Sequence, residues 1–535
     1  MTGEVSMELY LLLCAVVLLL CIFSNKISDK IGVPSLLIFM FLGMVFGSEG
    51  IFKIEFSDFQ AAENICTAAL IFIMFYGGYS TNWERAKPAA GRAAVLSTLG
   101  VAMTAALVGA FCHFILKLSL PESFLIGSVV SCTDAASVFS IFRSKNLNLE
   151  GNLAPLLEIE SGSNDPFSYM LTVIALTVMK GGELDFIWKM VFLQLAVGAG
   201  VGAAVGIAGP KIIRKFKFCT DGFDAVFVLA AALISYALAG IMGGNGFLSV
   251  YLTGILMGNA KTKNKANVVR FFDNVTILAQ IATFFLIGLL SYPSQMVSSL
   301  PATLVIILFL TLAARPVMVF ILTGRYLKFR EKIFVSFAGL RGASSIVFAI
   351  FASAGGVYMQ SNVFHIVFGL ALISVAVQGT FLPWAARRLD LIDEENDVRK
   401  TFNDYQEESA MTLMQLHISP GHHWENQKLK DVTLPEGSLA MVIRREDDII
   451  IPKGDTVMMA GDDIAVNVPS FEAANEISLK EIKIEEDHPW RDKKIKELDL
   501  KEHILVAMIR RKDQDIIPNG ETKIYKDDIL VIYDE

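Results

Sequence analysis

The segment LEIESGSNDPFSYMLT, residues 157–172, places three carboxylates and a carboxamide between apolar stretches. Ionisable side chains at membrane depth are costly, so they usually face a water-filled cavity or pair with an opposite charge. On a helix, Glu158, Ser161 and Asp165 share nearly one face because seven residues make about two turns. Glu160 and Asn164 form a neighbouring stripe. The pattern predicts that Asp165 and Ser161 face a cavity and that Glu160 points toward another helix.

Two other apolar segments carry polar residues beside small or helix-weakening ones. SCTDAASVF contains Thr133 and Asp134, and AGLRGASSIVF contains Arg341. Interrupted helices in two halves of a chain are typical of transporters built from inverted repeats, and the carbonyls freed at a break can ligate a cation. Arg341 is the only cation in the three clusters, so the sequence predicts a Glu160–Arg341 ion pair. Arg315, which precedes a proline, is expected to extend its charge to the membrane surface.

Long apolar runs position these clusters. Of 535 residues, 53% are hydrophobic and 19% charged, against about 25% charged in soluble domains. Runs of roughly 18 or more apolar residues, the length of a bilayer-spanning helix, recur up to residue 388. Thirteen candidate spans are centred near residues 16, 40, 70, 103, 133, 166, 198, 232, 252, 280, 311, 342 and 374. The sequence predicts an all-α membrane domain over residues 1–390, a charged linker over 391–408 and an α+β tail.

Lysine and arginine lie in alternate loops of the membrane domain, for example Lys26, Arg92 and Arg325, whereas the intervening loops hold scattered lysines such as Lys53 and Lys117. The positive-inside rule then puts the N-terminus outside and the tail in the cytoplasm, which requires an odd number of spans. Residues 8–22 are predicted to be the first span, because no positive segment precedes them. Six cysteines lack metal-ligand or disulfide spacing and are predicted to pack in the apolar interior.

The tail contains an internal duplication. The stretch HHWENQKLKDVTLPEGSLAMVIRREDDIIIPKGDTVMMAGDDIAV, from His422, aligns with HPWRDKKIKELDLKEHILVAMIRRKDQDIIPNGETKIYKDDILV, from His488. The offset is 66 residues and is taken as 65 at the final Asp-Asp pairs. Two tandem modules, 409–478 and 479–535, are predicted, each a short helix followed by strands with charged turns.

Four motifs of the membrane domain together resemble one family. TDAASVF, ESGSNDP, GNGFLSVYLTGILMGN and GLRGASS are similar, in order and spacing over residues 1–390, to the NhaP-type branch of the monovalent cation:proton antiporters. The resemblance implies thirteen transmembrane helices in two inverted six-helix repeats, two broken helices that cross, and a homodimer in the bilayer. The sequence departs from its relatives at Gly162-Ser163 and at Pro166, where a kink just past Asp165 is expected.

The resemblance also implies roles for the site residues. The family's Asn-Asp pair maps onto Asn164 and Asp165. The electroneutral branch of the family carries Asn at the first of these positions, so the resemblance implies exchange of one cation for one proton. Asp165 would hold either a proton or a dehydrated cation, with Asp134 assisting and oxygens of Thr133 and Ser161 completing the shell. Asn164 would hold the unwound crossing.

Three further residues have roles in this interpretation. Glu160 and Arg341 would tie the two repeats together as a structural ion pair. Glu158 is interpreted either as a cation funnel or as a solvated residue at the cytoplasmic mouth of its helix.

The tail pattern RRxDxxIIPxG resembles the RCK-C (TrkA-C) regulatory module, which implies dimer formation and, in some transporters, binding of a nucleotide such as cyclic di-AMP. The candidate ligand contacts are Arg444, Arg445, Arg510 and Arg511, with ordinary solvated strand faces as the alternative. No RCK-N half accompanies the modules, so NAD sensing is not expected. Metal or pH sensing is an alternative role for His417, His422, His423 and His488.

The sequence thus favours an electroneutral K⁺/H⁺ antiporter of a bacterial inner membrane, regulated by its tail. Potassium is preferred because RCK-C modules mostly accompany potassium-handling systems, and Na⁺/H⁺ exchange is the close alternative. A ligand-gated cation channel and an inactive membrane scaffold or sensor are rivals of other classes. Neither an enzyme, a bound cofactor, a nucleic-acid partner nor a metal site beyond the transported cation is predicted.

Overall fold

The computed structural model describes residues 7–31, 34–145, 147, 149–150, 153–182, 184–216, 222–260, 262, 265–392, 411–434, 438–445, 448–469, 479–484, 488–498, 504–511, 514–516 and 518–534. Two compact units divide the chain, residues 1–406 and 407–535. The first unit is helical and the second consists of strands.

The described part of the first unit contains eighteen α-helices. They are α1 Met7–Ile31, α2 Ser35–Phe46, α3 Phe59–Ser80, α4 Trp83–Val95, α5 Val101–Ile115, α6 Leu120–Val129, α7 Ala135–Ser144, α8 Leu153–Met179, α9 Leu184–Phe216, α10 Phe223–Ile241, α11 Gly246–Gly258, α12 Lys265–Leu290, α13 Pro293–Phe309, α14 Arg315–Thr323, α15 Phe329–Phe337, α16 Ala343–Ala354, α17 Val363–Ile373 and α18 Gly379–Arg388. Three π-helical turns, Leu96–Gly100, Leu310–Ala314 and Ser374–Gln378, join α4 to α5, α13 to α14 and α17 to α18.

Seven of the described helical segments are long and apolar enough to cross a membrane: residues 59–80, 86–115, 186–216, 223–241, 265–290, 293–323 and 363–388. Shorter apolar helices accompany them. Large apolar side chains such as Phe192 and Trp188 of α9 lie exposed on the outer surface. Because such surfaces are stable only in lipid, the first unit is a helical membrane domain, as the sequence predicts.

Two apolar segments are interrupted in the middle. The chain leaves α6 after Val129 and re-enters a helix at Ala135, and it leaves α15 after Phe337 and re-enters at Ala343. The two breaks meet, because the backbone N–H of Asp134 donates to the carbonyl of Leu340 at 2.8 Å. Each break thereby satisfies a backbone group that the other leaves without a helical partner.

Helix α8 packs through small residues. It is continuous over 27 residues and contains Pro166 in its interior, so the proline predicted to kink it does not end it. A Cβ added at Gly162 would lie 2.6 Å from the ring of Tyr251 on α11. Gly202 of α9 approaches the backbone of α11, where an added Cβ would lie 2.6 Å from the carbonyl oxygen of Ser249. Close approach of small residues is a main source of helix association in membranes.

The second unit contains two four-stranded antiparallel sheets of the same topology. The first has the order β1-β4-β2-β3, formed by β1 Met411–His417, β2 Leu439–Arg445, β3 Asp448–Ile450 and β4 Asp463–Pro469. The second has the order β5-β8-β6-β7, formed by β5 Leu479–Lys483, β6 Ile504–Arg511, β7 Gln514–Ile516 and β8 Ile529–Asp534. Each sheet covers its own small apolar core.

The prediction of a short helix at the start of each module is wrong for the described residues. Each module begins with a strand, and the expected helix is a single 3₁₀ turn, Leu429–Asp431 or Ile495–Glu497. In each copy only two apolar residues around this turn, Leu429 and Val432 or Ile495 and Leu498, pack against the core. Contact over one turn gives little support to the costly nucleus of a helix.

The alignment offset of 65 at the acidic pairs is also wrong. Ile443 pairs with Ile464 in the first sheet and Ile509 with Leu530 in the second, an offset of 66. Gly461 and its counterpart Asp527 both have positive φ, at 92° and 65°. Asp462 therefore corresponds to Asp528, because an aspartate replaces the turn glycine in the second copy.

Candidate functional site

Asp165 lies in the interior of α8 beside the crossing of the two breaks. Its Oδ2 accepts a 2.6 Å hydrogen bond from the hydroxyl of Ser344, in the first turn of α16. Its Oδ1 is buried and has no hydrogen-bond partner within the protein. An unsatisfied buried carboxylate oxygen is costly, so this atom is a candidate ligand for a proton or a cation.

The first break is anchored to α8 by two residues one turn apart. The Ser161 hydroxyl donates to the Thr133 carbonyl at 2.8 Å, and the Asn164 side-chain amide donates to Thr133 Oγ1 at 2.6 Å. The Asn164 Oδ1 atom is buried without a partner. The structure thus brings together Thr133, Ser161, Asn164 and Asp165, which the sequence places in two separate motifs.

Asp134 has a different environment from Asp165. Its carboxylate accepts hydrogen bonds from Ser137, at 3.2 Å from the backbone N–H and 2.7 Å from the hydroxyl. These are the contacts of a helix cap, and they place the negative charge at the positive end of α7. The Asp134 carboxylate also packs against Gly342 of the second break, two residues before the serine that bonds Asp165, so both carboxylates lie at the crossing.

The predicted Glu160–Arg341 ion pair is wrong. Glu160 pairs with Arg315 at 2.5 Å, and their side chains are 1% and 4% exposed. The prediction that Arg315 extends to the membrane surface is therefore also wrong. Arg315 follows the π-helical turn Leu310–Ala314, which forms where Pro316 lacks the N–H needed for the preceding turn. Its guanidinium lies against Gly339 in the second break.

Arg341 instead contacts the backbone of the first break. Its guanidinium donates to the carbonyl of Cys132 at 2.5 Å, across the crossing. A carbonyl freed by unwinding has no water to bond inside a membrane protein, and a charged donor satisfies it. Arg341 therefore stabilises the crossing through a backbone contact rather than through a carboxylate.

Glu158 lies on the same side of the domain as the end of α18. Its Oε1 accepts a hydrogen bond of 3.3 Å from Thr81, in the turn between α3 and α4. The segment preceding α8 bonds to the end of α18, with Glu150 N–H donating to the Leu391 carbonyl at 2.9 Å. Glu158 is half-buried, between Asp165 and this face.

Aromatic rings cover the other side of Asp165. Tyr169, one turn farther along α8, has its ring centroid 5.0 Å from that of Phe247 and 5.3 Å from that of Phe351. Phe247 in turn stacks edge-on against Tyr236 at 5.2 Å, and Phe348 lies 5.8 Å from Tyr169. The site therefore has polar residues on the side of Glu158 and a packed aromatic cluster on the opposite side.

Sequence reasoning missed Ser344 and Asn245, and it missed the pairing of Arg315 with Glu160. Asn245 caps α11 by accepting from the Leu248 N–H at 3.0 Å, and its amide donates to the Pro166 carbonyl at 2.8 Å. The signal was present for Asn245, since Asn before an apolar run is a typical helix cap. Ser344 directly follows the second break within the quoted motif GLRGASS, but its contact with Asp165 has no local signature.

The chemistry of these ligands suits a hard cation. The site offers carboxylate, carboxamide, hydroxyl and backbone oxygens, which are hard ligands. Within the described residues, no group of three or more His, Cys, Asp or Glu side chains could hold a metal ion.

At least three of the four tail arginines bond within their own modules, Arg444 through a 2.8 Å hydrogen bond to Asp463. Arg445 forms two 2.7 Å hydrogen bonds with buried Asp462, and Arg511 repeats the arrangement with Asp528 at 2.9 and 2.8 Å. The bonds from Arg445 lower the pKa of Asp462. Arg445 and Arg511 thus have a structural role in each module, and the ligand contacts proposed for the four arginines stay predictions.

The tail histidines make local contacts. His422 Nδ1 accepts from the backbone N–H of Trp424, and His488 Nδ1 accepts from that of Trp490, both at 3.2 Å. His417 contacts Asp463 at 2.8 Å. These contacts hold the turns and strand ends, and the sensing roles stay predictions.

Comparison with known proteins agrees with this architecture. Residues 15–388 match the family model of the transmembrane sodium/hydrogen exchangers, and residues 413–470 and 479–533 each match the TrkA-C domain. The chain is 31% identical to the K(+)/H(+) antiporter NhaP2 of Shewanella baltica (strain OS223) and 32% identical to the K(+)/H(+) antiporter NhaP of Alkalimonas amylolytica, each over 86% of this chain and 81% of the relative.

A solved structure shares the fold. The sodium proton antiporter MjNhaP1 from Methanocaldococcus jannaschii superposes with a TM-score of 0.62 at 22% identity, over 70% of this chain and 97% of the other. The resemblance found in the motifs is thereby confirmed: this chain belongs to the sodium/hydrogen exchanger family and carries two TrkA-C domains after its membrane domain.

Proposed function

We propose that this protein is a monovalent cation:proton antiporter that exchanges one K⁺ for one proton at Asp165 by alternating access. The observation that supports this most directly is the carboxylate of Asp165, which is buried beside two crossing helix breaks with one oxygen that accepts no N–H or O–H hydrogen bond. Either a proton or a dehydrated cation can bind that oxygen, but not both at once, so the two compete for it. Because the site changes from one side of the membrane to the other only when it holds a proton or a cation, the proton flux and the cation flux are coupled.

The one-for-one ratio follows from the unequal roles of the two aspartates. Asp134 bonds through its carboxylate to Ser137 and caps α7. Asp165 has the free oxygen. Asn164, which stands beside Asp165, is neutral and is engaged with Thr133. One carboxylate therefore takes up and releases the proton in each cycle, so charge is balanced when a monovalent cation replaces it.

Potassium is the preferred cation. Relatives that match most of the chain are named K(+)/H(+) antiporters, and the chain carries the TrkA-C pair. Sodium is the alternative: the Na(+)/H(+) antiporter NhaH of Halobacillus aidingensis is 28% identical over 55% of this chain. The aromatic cluster around Tyr169 supports a carrier, because packed rings close one side of the site, as alternating access requires of each state.

The membrane arrangement proposed is thirteen spans in two inverted repeats, assembled as a homodimer in a bacterial inner membrane. The described helices support it, since counting α6–α7 and α15–α16 as broken spans and joining helices across the π-helical turns gives thirteen segments. The N-terminus is then outside and the tail is cytoplasmic, with the positive loops on the tail side. The TrkA-C domains regulate exchange, with an anionic nucleotide such as cyclic di-AMP as the candidate ligand.

The test uses everted membrane vesicles with an imposed proton gradient and a pH-sensitive dye. Addition of K⁺ is expected to dissipate the gradient in wild type and in Asp58→Asn, a matched control at a loop position that caps α3. Asp165→Asn is expected to abolish the response. Dissipation by Na⁺ alone would support the sodium alternative, and an active Asp165→Asn variant would refute the assignment of the site.

A further inference from the structure

A single peptide group joins the two helix breaks to the last membrane segment. The carbonyl of Leu340 accepts from the Asp134 N–H at 2.8 Å, and the N–H on the other side of the same peptide bond, that of Arg341, donates to the hydroxyl of Ser374 at 3.0 Å. Ser374 begins the π-helical turn between α17 and α18. The position of this peptide group therefore depends on both the first break and Ser374.

The contact continues into a second π-helical turn. The Ser374 hydroxyl donates to Gln378 Oε1, and the Gln378 amide donates to the Thr311 hydroxyl at 3.1 Å. Thr311 belongs to the π-helical turn that precedes Arg315. From Asp134 to Thr311 every donor points in the same direction, so the hydrogen bonds polarise and strengthen one another.

The orientation of Ser374 differs from that of the serines and threonines whose hydroxyls bond only their own helix. The hydroxyls of Ser336, Ser353 and Thr323 each donate to the carbonyl four residues earlier in their own helix. That is the usual arrangement for a serine inside an apolar helix. Ser374 instead donates within the π-helical turn and accepts from another span. It is fully buried, so no water replaces this contact.

We propose that Ser374 and Gln378 are positioning residues for ion exchange, holding the second break so that Ser344 and Asp134 keep their geometry around Asp165. This inference rests on the proposed function. Ser344, which donates to Asp165, lies three residues after Arg341, so a shift of the Arg341 amide is transmitted directly to the ligand shell. Neither residue contacts the cation; both act through the backbone.

The test compares K⁺-dependent exchange in vesicles for wild type and Ser374→Ala. Loss of the acceptor leaves the Arg341 N–H unsatisfied and lets the break move. We expect the apparent KM for K⁺ to rise about tenfold, with a maximal rate within about twofold of wild type. The pH of half-maximal activity shifts upward, because K⁺ that binds more weakly competes with protons only at a lower proton concentration. Ser374→Thr, which keeps the hydroxyl, restores both.

Ser336→Ala is the matched control, since it removes a buried hydroxyl that bonds only its own helix. It should leave the KM and the pH profile unchanged. If Ser374→Ala is not recovered in the membrane, Thr311→Val and Gln378→Met supply the test and should raise the KM in the same direction. An unchanged KM and pH profile in the variants, or a lower maximal rate at unchanged KM, refutes the inference. The proposed function still stands in that case as long as the wild type exchanges K⁺ for protons. Absence of wild-type exchange refutes the proposed function itself.

Discussion

Replacing Arg315 with methionine is expected to destabilise the membrane domain severely, because it leaves Glu160 charged, buried and unpaired. Both side chains of the pair are nearly inaccessible, and the two charges lie 2.5 Å apart. Removing one partner of such a pair typically costs about 3–5 kcal/mol, most of it the penalty of the remaining uncompensated charge. We therefore expect a large fall in thermal stability of the detergent-solubilised protein.

Double-mutant cycles separate this pair from the one that the sequence suggested. Glu160→Gln combined with Arg315→Met should recover much of the loss, giving a coupling free energy of about 2–3 kcal/mol. Glu160→Gln combined with Arg341→Met should give a clearly smaller coupling, because Arg341 bonds the Cys132 carbonyl and interacts with Glu160 only through space. A larger coupling of Glu160 with Arg341 than with Arg315 would contradict the structural assignment of the ion pair.

Two other predictions concern α8 and the tail. Gly162→Ala should lower stability and exchange by forcing a Cβ into the ring of Tyr251, at a cost of about 1–3 kcal/mol; Tyr251→Leu should partly rescue it in a thermal-shift assay, and Gly200→Ala, with open space around it, should be tolerated. In the first module, hydrogen bonds from Arg444 and then His417 lower the pKa of Asp463 from 3.8 to about 2. The stabilisation is complete above about pH 4 and is lost as the pH falls toward 2, since the folded state binds the proton less readily than the unfolded state. Hydrogen exchange of the β1 and β4 amides in acid should show this loss in wild type and not in Asp463→Asn; identical profiles would contradict it.

The sequence supplied the chemical part of the site. Polar residues are rare and costly inside apolar helices, so Asp165, Asn164 and Thr133 stand out without structural information. The helix breaks were also predictable, because small residues flank Asp134 and Arg341. The duplicated tail was visible because the two copies share Arg-Arg and Ile-Ile-Pro signatures.

The pairing of charges was not predictable from the sequence. Arg315 reaches Glu160 because a π-helical turn changes the face on which it projects, and such a turn has no reliable local signature beyond the following proline. The partner of Arg341 was not predictable either, because which freed carbonyl its guanidinium reaches, that of Cys132, depends on the geometry of the crossing. In the tail, the register through the last turn depended on Asp527 adopting the positive φ of Gly461.

The central claim, that one cation and one proton compete for Asp165, is tested most directly by cation binding to the purified protein in weakly buffered solution. Calorimetry with a pH electrode gives the bound K⁺ and the released protons together. The account predicts about one proton released per K⁺ bound near neutral pH, with binding and release both absent in Asp165→Asn. Binding of K⁺ without proton release, or proton release that persists in Asp165→Asn, would contradict it.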